Sequence, residues 1–138
     1  MSETNKALMR RWFEEVWNQG RTDAIDELLA DNVVIHGLVD ASGEPVRGAQ
    51  AFRDFHRQFR GAFPNIAVSI DDMVAEGDKV AARCSVAAKH TGGTLGFDAT
   101  DSDVEFDGMT IVVIKDGKIA EAWNNFDFMK MNKQLGII

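Results

Sequence analysis

The sequence has one cysteine and two prolines among its 138 residues, and it contains no low-complexity tract. The single cysteine, Cys84, excludes an internal disulfide, and its place in a strand pattern predicts a small core residue rather than a nucleophile. With 45% hydrophobic residues and no linker, the chain is predicted to form one globular domain over residues 1–138.

Basic residues are also scarce, because the chain has 15 of them and 22 acidic residues, which gives a net charge of −7. The basic residues are scattered, whereas binding to a phosphate backbone needs clustered lysine and arginine. The longest apolar runs, such as 111–114, are far shorter than the roughly 20 residues of a membrane span. The first residues lack the basic-then-apolar layout of a signal peptide. We therefore expect a cytoplasmic protein with no nucleic-acid partner and no membrane contact.

The first half of the chain carries helical patterns. Apolar residues recur at four-residue spacing over 4–17, which predicts a helix with a wide apolar stripe. A short second helix is predicted to begin with Thr22 as its cap. A third helix has four phenylalanines on one face, namely Phe52, Phe55, Phe59 and Phe63. His56 lies beside this face and is expected at the boundary of the core.

The second half of the chain carries strand patterns. A first strand is predicted at 33–36, followed by a loop over 37–48. Four longer strands are predicted at 66–76, 80–90, 104–114 and 119–126, with tight turns at 77–78 and 116–117 that make two hairpins. Helices followed by antiparallel strands predict an α+β domain with one sheet face covered by helices. Three helices cannot cover every apolar strand residue, so Val86, Val112 and Ile114 are expected on an outer face that forms a homodimer.

The last strand runs directly into an amphipathic helix, and Asp127 lies at the junction. Alternation along the strand puts Glu121, Trp123, Asn125 and Asp127 on one side. A carboxyl group in apolar surroundings has a raised pKa and can exchange a proton near neutral pH. Asp127 is therefore the first candidate for a catalytic acid/base. The alternative is that Asp127 caps the helix that follows it.

Three further polar residues, His36, His90 and Arg83, are candidates for a site. His36 and His90 titrate near neutrality and lie in strand segments, so we expect them to assist Asp127 in a cavity. The alternatives are a half-buried strand histidine for His36 and an exposed strand end for His90. Arg83 is expected to be buried and paired with Glu121. The three histidines lack metal-ligand spacing, so no metal site is predicted.

Several segments together carry a family likeness: Trp12-Phe13 with Trp17-Asn-Gln-Gly20, Val34-Ile-His-Gly37, Lys89-His-Thr-Gly92, and Trp123-x3-Asp127 with Gln134-Leu-Gly136. Over nearly its whole length the chain resembles the SnoaL-like polyketide cyclases of the nuclear transport factor two-like superfamily. This resemblance implies a cone-shaped α+β barrel, in which three helices pack on a strongly curved antiparallel sheet around a ligand cavity. It also implies a homodimer or higher oligomer.

The resemblance further implies a chemistry. In this family the acid that follows the tryptophan of the final strand is the acid/base, and the matching residue is Asp127. The family reaction is an intramolecular aldol ring closure on a small hydrophobic ketone or ester, with no metal and no cofactor. The expected substrate-binding residues are Trp12, Phe55, Phe59, Arg83, Phe106, Thr110 and Trp123. The alternative is a non-catalytic small-molecule-binding or dimerisation module, in which Asp127 serves only as a cap.

Overall fold

The computed structural model describes residues 2–39 and 43–138, apart from the side chain of Val39. Four α-helices and a π-helix are present: α1 (Ser2–Arg11), the π-helix (Trp12–Asn18), α2 (Thr22–Leu28), α3 (Ala49–Ala62) and α4 (Phe128–Leu135). Six strands complete the fold: β1 (Leu29–Val39), β2 (Pro45–Arg47), β3 (Ala67–Glu76), β4 (Lys79–Lys89), β5 (Asp103–Lys115) and β6 (Lys118–Phe126). None of the described helices is long and apolar enough to cross a bilayer.

The strands form one curved, open sheet in the order β2-β1-β6-β5-β4-β3. Neighbouring strands run antiparallel, except that β1 and β6 are parallel. The long β3-β4 and β5-β6 hairpins follow the two predicted tight turns, and at the second turn Asp116 and Gly117 have φ of 52° and 74°. The predicted α+β class is confirmed.

Side-chain alternation gives the sheet a buried inner face and an exposed outer face. Along β5, Val104, Phe106 and Thr110 are buried, while Met109 and Ile111 between and beyond them are exposed. The helices cover the inner face, where most of the core lies.

The expectation that Val86, Val112 and Ile114 lie on the outer face is wrong. All three are buried in the core, and Val86 and Val112 line its cavity. Alternating apolar residues identify a strand with two faces. Which of the two faces points into the core depends on how each strand pairs with its neighbours.

The predicted helix over 4–17 is two helices, because the α-helix widens into the π-helix at Trp12. The wider turn buries Trp12, Phe13, Val16 and Trp17 together. The apolar residues have the spacing of an α-helical stripe. The pattern alone therefore does not show where the α-helix becomes a π-helix.

Helix α3 supplies donors for the carbonyl groups at the end of the π-helix. His56 Nε2 donates to the Val16 carbonyl oxygen at 2.7 Å. The Arg60 guanidinium donates to the carbonyl oxygens of Trp17 at 2.9 Å and Asn18 at 3.1 Å. His56 is buried rather than at the core boundary. These bonds hold the π-helix, and with it Trp17, against α3.

Two local predictions need correction. Helix α2 has Arg21 at its N-cap with no side-chain capping bond, so Thr22 is the first helical residue and not the cap. The predicted loop over 37–48 includes strand β2, and residues 40–42 of that loop lie outside the described residues. Strand β1 is also longer than predicted, because it pairs with β2 on one side and with β6 on the other.

Candidate functional site

An apolar cavity of about 70 Å³ lies between the inner face of the sheet and the helices. Nine aromatic side chains contribute to its lining: Trp12, Phe13, Trp17, Phe52, Phe55, Phe59, Phe106, Phe126 and Phe128. Four of the predicted substrate-binding aromatics, Trp12, Phe55, Phe59 and Phe106, therefore meet in one place. Sites for drug-sized ligands commonly measure about 300–1,000 Å³. As it stands, this cavity takes a group of only a few atoms.

The lining divides into a deep part and a rim. Trp12, Phe52 and Phe106 are buried, whereas the lining residues Phe55, Phe59, Phe126 and Phe128 are only half-buried. Phe55 and Phe59 stack with their ring centroids 5.7 Å apart, and Phe59 meets Phe128 edge-on at 6.3 Å. The half-buried phenylalanines form the rim, where the cavity is nearest to solvent.

Thr110 and Asn124 are the only polar side chains that line the cavity within the described part of the chain. They are direct cross-strand partners on β5 and β6. The Asn124 amide donates to the His36 carbonyl oxygen at 3.1 Å, which anchors the side chain. The Thr110 hydroxyl has no hydrogen bond to another described residue. The pair therefore offers one polar position in an otherwise apolar cavity.

Thr110 was among the predicted site residues, but Asn124 was missed. Asn124 is identified by its pairing with Thr110. That pairing can be assigned only when the register of the β5-β6 hairpin is known. Sequence reasoning instead favoured the face that carries Trp123 and Asn125.

Asp127 lies at the rim of the cavity rather than in its lining. The side chain is exposed and caps helix α4, with Oδ1 accepting the Lys130 backbone N–H at 3.0 Å. Its own backbone N–H donates to the Asp107 carbonyl oxygen at 2.9 Å. The residues on either side, Phe126 and Phe128, both line the cavity. The predicted cap is present, and the carboxylate is exposed while the two neighbouring side chains line the cavity.

Gln134 fixes the helix that Asp127 caps. The Gln134 side-chain amide donates to the Glu105 carbonyl oxygen at 3.0 Å and accepts the Glu105 backbone N–H at 2.8 Å. This two-way bond holds α4 to β5. It also explains the glutamine in the Gln134-Leu-Gly136 ending, which sequence reasoning noted without a physical role.

His36, Arg83 and Trp123 lie on the outer face of the sheet, away from the apolar cavity. His36 Nε2 lies 2.7 Å from the Glu121 carboxylate, and the His36 ring stacks on Trp123 at 5.3 Å. Arg83 is exposed, and its nearest carboxylate is that of Asp71 at 3.8 Å. The predicted pairing of Arg83 with Glu121 is therefore wrong. Trp123 and Arg83 instead line a shallow depression on the outer face.

His90 is fully buried and is not part of the cavity lining. Its Nδ1 accepts the Thr100 backbone N–H at 3.1 Å, which puts the ring proton on Nε2. Nε2 has no hydrogen-bond partner among the described residues. The ring packs between Phe63 and Phe97, with centroids 5.3 Å and 5.2 Å away. His90 thus anchors the connection between β4 and β5, and the alternative of an exposed strand end is wrong.

Within residues 2–39 and 43–138, no three histidine, cysteine, aspartate or glutamate side chains come together in a group that could hold a metal ion. The ionisable side chains of this part of the chain also stay out of the cavity lining. The cavity is therefore suited to an apolar ligand that carries a polar oxygen.

Comparison with known proteins gives matches at the level of family and structure. The SnoaL-like polyketide cyclase family model matches residues 7–135. A proposed polyketide cyclase from Bacillus cereus is 29% identical, with a TM-score of 0.80 over 98% of this chain and 82% of that one. IdmH, a proposed polyketide cyclase from Streptomyces antibioticus, is 26% identical, with a TM-score of 0.80 over 96% and 98%.

AclR, a proposed hydroxylase from Streptomyces galilaeus, is 23% identical, with a TM-score of 0.82 over 97% of this chain and 82% of that one, and shows a shared fold alone. No match was found among curated proteins. The family model covers nearly the whole chain, including the π-helix, the cavity-lining strands and Asp127. The chain therefore belongs to the SnoaL-like polyketide cyclase family.

Proposed function

We propose that this protein is a cofactor-independent cyclase, or a related isomerase, acting on a small hydrophobic ketone or ester. The observation that carries the proposal is the position of Asp127 between Phe126 and Phe128, two residues that line the apolar cavity. A ligand held by these rings would expose its adjoining atoms to the Asp127 carboxylate. Family membership supports the same reaction class.

Binding would rely on apolar contact and on the Thr110-Asn124 pair. The apolar part of the substrate enters the cavity, and one substrate oxygen bonds to the pair. Asp127 follows the end of β6, three residues after Asn124, so their backbones are at most about 10 Å apart at the usual strand rise of about 3.3 Å per residue. The favoured substrate therefore has an oxygen several bonds away from its acidic carbon, as in a chain with several carbonyl groups. A molecule of this length requires the rim phenylalanines to move apart.

The chemistry needs one base and a substrate with an acidic C–H bond. The Asp127 carboxylate takes a proton from a carbon flanked by two carbonyl groups, leaving an enolate. The enolate carbon attacks a second carbonyl carbon of the same molecule, so one carbon–carbon bond forms and the attacked oxygen becomes an alkoxide. Asp127 returns its proton to that alkoxide. The product is an isomer of the substrate, so neither an oxidant nor a reductant is consumed.

Closure of the rim would assist the base. Water weakens a carboxylate as a base, and an apolar ligand that covers the carboxylate removes that water. The cap bond from Lys130 holds one carboxylate oxygen in position. The single cysteine, Cys84, is unpaired and buried, which suits the reducing cytoplasm that we propose as the site of action.

A second candidate function is ligand binding without catalysis. It is favoured by the absence of ionisable side chains from the cavity lining within the described residues. In this case the Asp127 carboxylate would act only as the cap of α4.

Calorimetric titration with two ligands of matched shape, 2-acetylnaphthalene and 2-ethylnaphthalene, tests the polar position. The wild type is expected to prefer the ketone, because the Thr110 hydroxyl can bond its oxygen. Thr110→Val keeps the shape and should lower the preference by about 5- to 10-fold, equivalent to one hydrogen bond of about 1 kcal/mol. Thr91→Val, at an exposed residue outside the lining, is the control. An equal preference in the wild type and Thr110→Val would remove the pair from ligand recognition.

A further inference from the structure

The polar pair in the cavity, Thr110 and Asn124, has hydrogen-bonding groups that the protein leaves unused. Thr110 is only 3% exposed, yet its hydroxyl bonds to no other described residue. Asn124 uses its amide nitrogen as a donor to the His36 carbonyl oxygen, but no described residue donates to its side-chain oxygen, Oδ1. Buried polar groups in proteins are nearly always paired. An unused donor and an unused acceptor on directly paired residues therefore indicate a site for a polar group of a ligand.

The direction of the Asn124 amide is fixed by strand β1. A carbonyl oxygen only accepts hydrogen bonds, so the amide nitrogen has to face His36, and Oδ1 remains as the acceptor. Gly37 makes this contact possible, because a side chain at that position would overlap the Asn124 backbone carbonyl oxygen. Gly37 also has a φ of 86°, which favours glycine. The glycine of the Val34-Ile-His-Gly37 segment thus lets β1 come close enough to hold Asn124 in one orientation.

We infer that the pair recognises a hydroxyl group, so that the ligand of the cavity is an alcohol, a phenol or an enol. The hydroxyl hydrogen of such a ligand bonds to Asn124 Oδ1, and its oxygen accepts the hydrogen of the Thr110 hydroxyl. A ketone or an ester offers only acceptors, so it can bond to Thr110 but leaves Asn124 Oδ1 without a donor. An acceptor that is buried without a partner costs more than the bond it loses. The pair therefore separates hydroxyl from carbonyl groups on ligands of equal size.

This property deepens the proposed function and rests on it for the cavity as the substrate site. The substrate oxygen that bonds to the pair is then a hydroxyl, while the carbonyl groups on either side of the acidic carbon lie towards Asp127. A chain of several carbonyl groups contains such a hydroxyl wherever one carbonyl is in its enol form. Within the described residues the lining has no ionisable side chain, so the hydroxyl is bound in its neutral form.

Calorimetric titration with 2-acetylnaphthalene and with the tighter-binding enantiomer of 1-(2-naphthyl)ethanol tests the inference, because the two ligands share one carbon skeleton. The hydration of each ligand is the same in every titration, so a change in the affinity ratio between variants reports on the site alone. Asn124→Leu removes Oδ1 and should lower the alcohol-to-ketone affinity ratio by about 5- to 10-fold. Thr110→Val should weaken both ligands and leave the ratio unchanged, since both accept from the hydroxyl. Asn125→Leu, the same substitution at an exposed residue of the outer face, is the control and should behave as the wild type.

The alcohol-to-ketone ratio separates failure of this inference from failure of the proposed function. If both ligands bind with the same ratio in the wild type and in Asn124→Leu, the inference is wrong and the proposed function stands. A ratio that falls as far in Thr110→Val would also contradict it, by assigning the discrimination to Thr110. If neither ligand binds to the wild type, the cavity is not the substrate site and both fail.

Two further variants keep the test decisive. If circular dichroism shows that Asn124→Leu is unfolded, Asn124→Ala, which also lacks Oδ1, replaces it. Asp127→Asn should keep the wild-type ratio, because Asp127 does not contact the hydroxyl site. A variant at Asp127 that loses proton exchange but keeps the ratio therefore supports both proposals, and a wild type without exchange that keeps the ratio contradicts only the proposed function.

Discussion

His56 Nε2 donates to the Val16 carbonyl oxygen at 2.7 Å, joining the middle of α3 to the π-helix inside the core. Burial lowers the pKa of His56 below its usual value and outweighs the opposing effect of the Val16 bond, and the nearby Arg60 adds a smaller lowering. The core therefore holds a histidine that resists protonation.

This relationship predicts a loss of stability in mild acid. An unfolded histidine titrates near about pH 6.5, so below that pH the unfolded chain binds a proton that the folded chain resists. Stability from this source is complete above about pH 6.5 and falls as the pH drops further. His56→Gln, which keeps an N–H for the Val16 carbonyl, should show a smaller change in urea midpoint between pH 7.5 and 5.5 than the wild type. Equal changes in the two proteins would exclude His56 as the cause.

Arg60 should contribute more to stability than a typical surface arginine. Its guanidinium donates to the carbonyl oxygens of Trp17, Asn18 and Pro64. Arg60→Met keeps the aliphatic stem and should cost about 2 kcal/mol of unfolding free energy, since bonds from a charged donor are worth about 1.5–3 kcal/mol. Arg57→Met, one turn away at a mostly exposed ion pair, should cost less than about 0.5 kcal/mol. Equal urea midpoints for the two variants would argue against the role given to Arg60.

Cys84 should be chemically inert in the folded protein. The residue is fully buried, and burial together with Asp71 raises the pKa of its thiol to about 11. The reactive thiolate is therefore scarce at pH 8. Ellman's reagent at pH 8 should release less than a tenth of an equivalent from the native protein over about an hour, and about one equivalent in guanidinium chloride. Rapid release from the native protein would show that the core around β4 opens readily.

Local patterns were sufficient to predict most of the elements but not the arrangement of the site. The Phe52, Phe55, Phe59 and Phe63 stripe defines α3, and the tight turns define the hairpins, because these signals come from neighbouring residues. Whether Trp123 or Asn124 points into the cavity depends on the pairing of β6 with β1 and β5. A shift of one residue reverses the two faces, so the sequence alone did not show that Asn124, and not Trp123, faces the cavity.

The residues of the predicted site separate for the same reason. Asp127 is at the rim of the cavity, His36 is on the outer face and His90 is buried at the end of β4. His36 lies in a strand and Asp127 at the junction, as predicted, while His90 directly follows β4. Strand order and curvature decide which of these elements meet. These are long-range properties that no motif in this chain encodes.

The central claim is that Asp127 takes a proton from the substrate. The most direct test measures by NMR how fast the protein exchanges the C2 protons of a hydrophobic 3-oxo ester for deuterium in D₂O. Asp127→Asn keeps the size and much of the capping ability of the side chain, so folding should survive at a cost of at most about 1 kcal/mol. The rate above the buffer background should fall by about 10²- to 10⁴-fold in this variant. The control is Asp107, whose side-chain carboxylate is exposed and whose backbone carbonyl oxygen accepts the Asp127 N–H. Asp107→Asn removes only the carboxylate and should leave the rate unchanged. Near wild-type exchange by folded Asp127→Asn, or no exchange above background in the wild type, would contradict the claim.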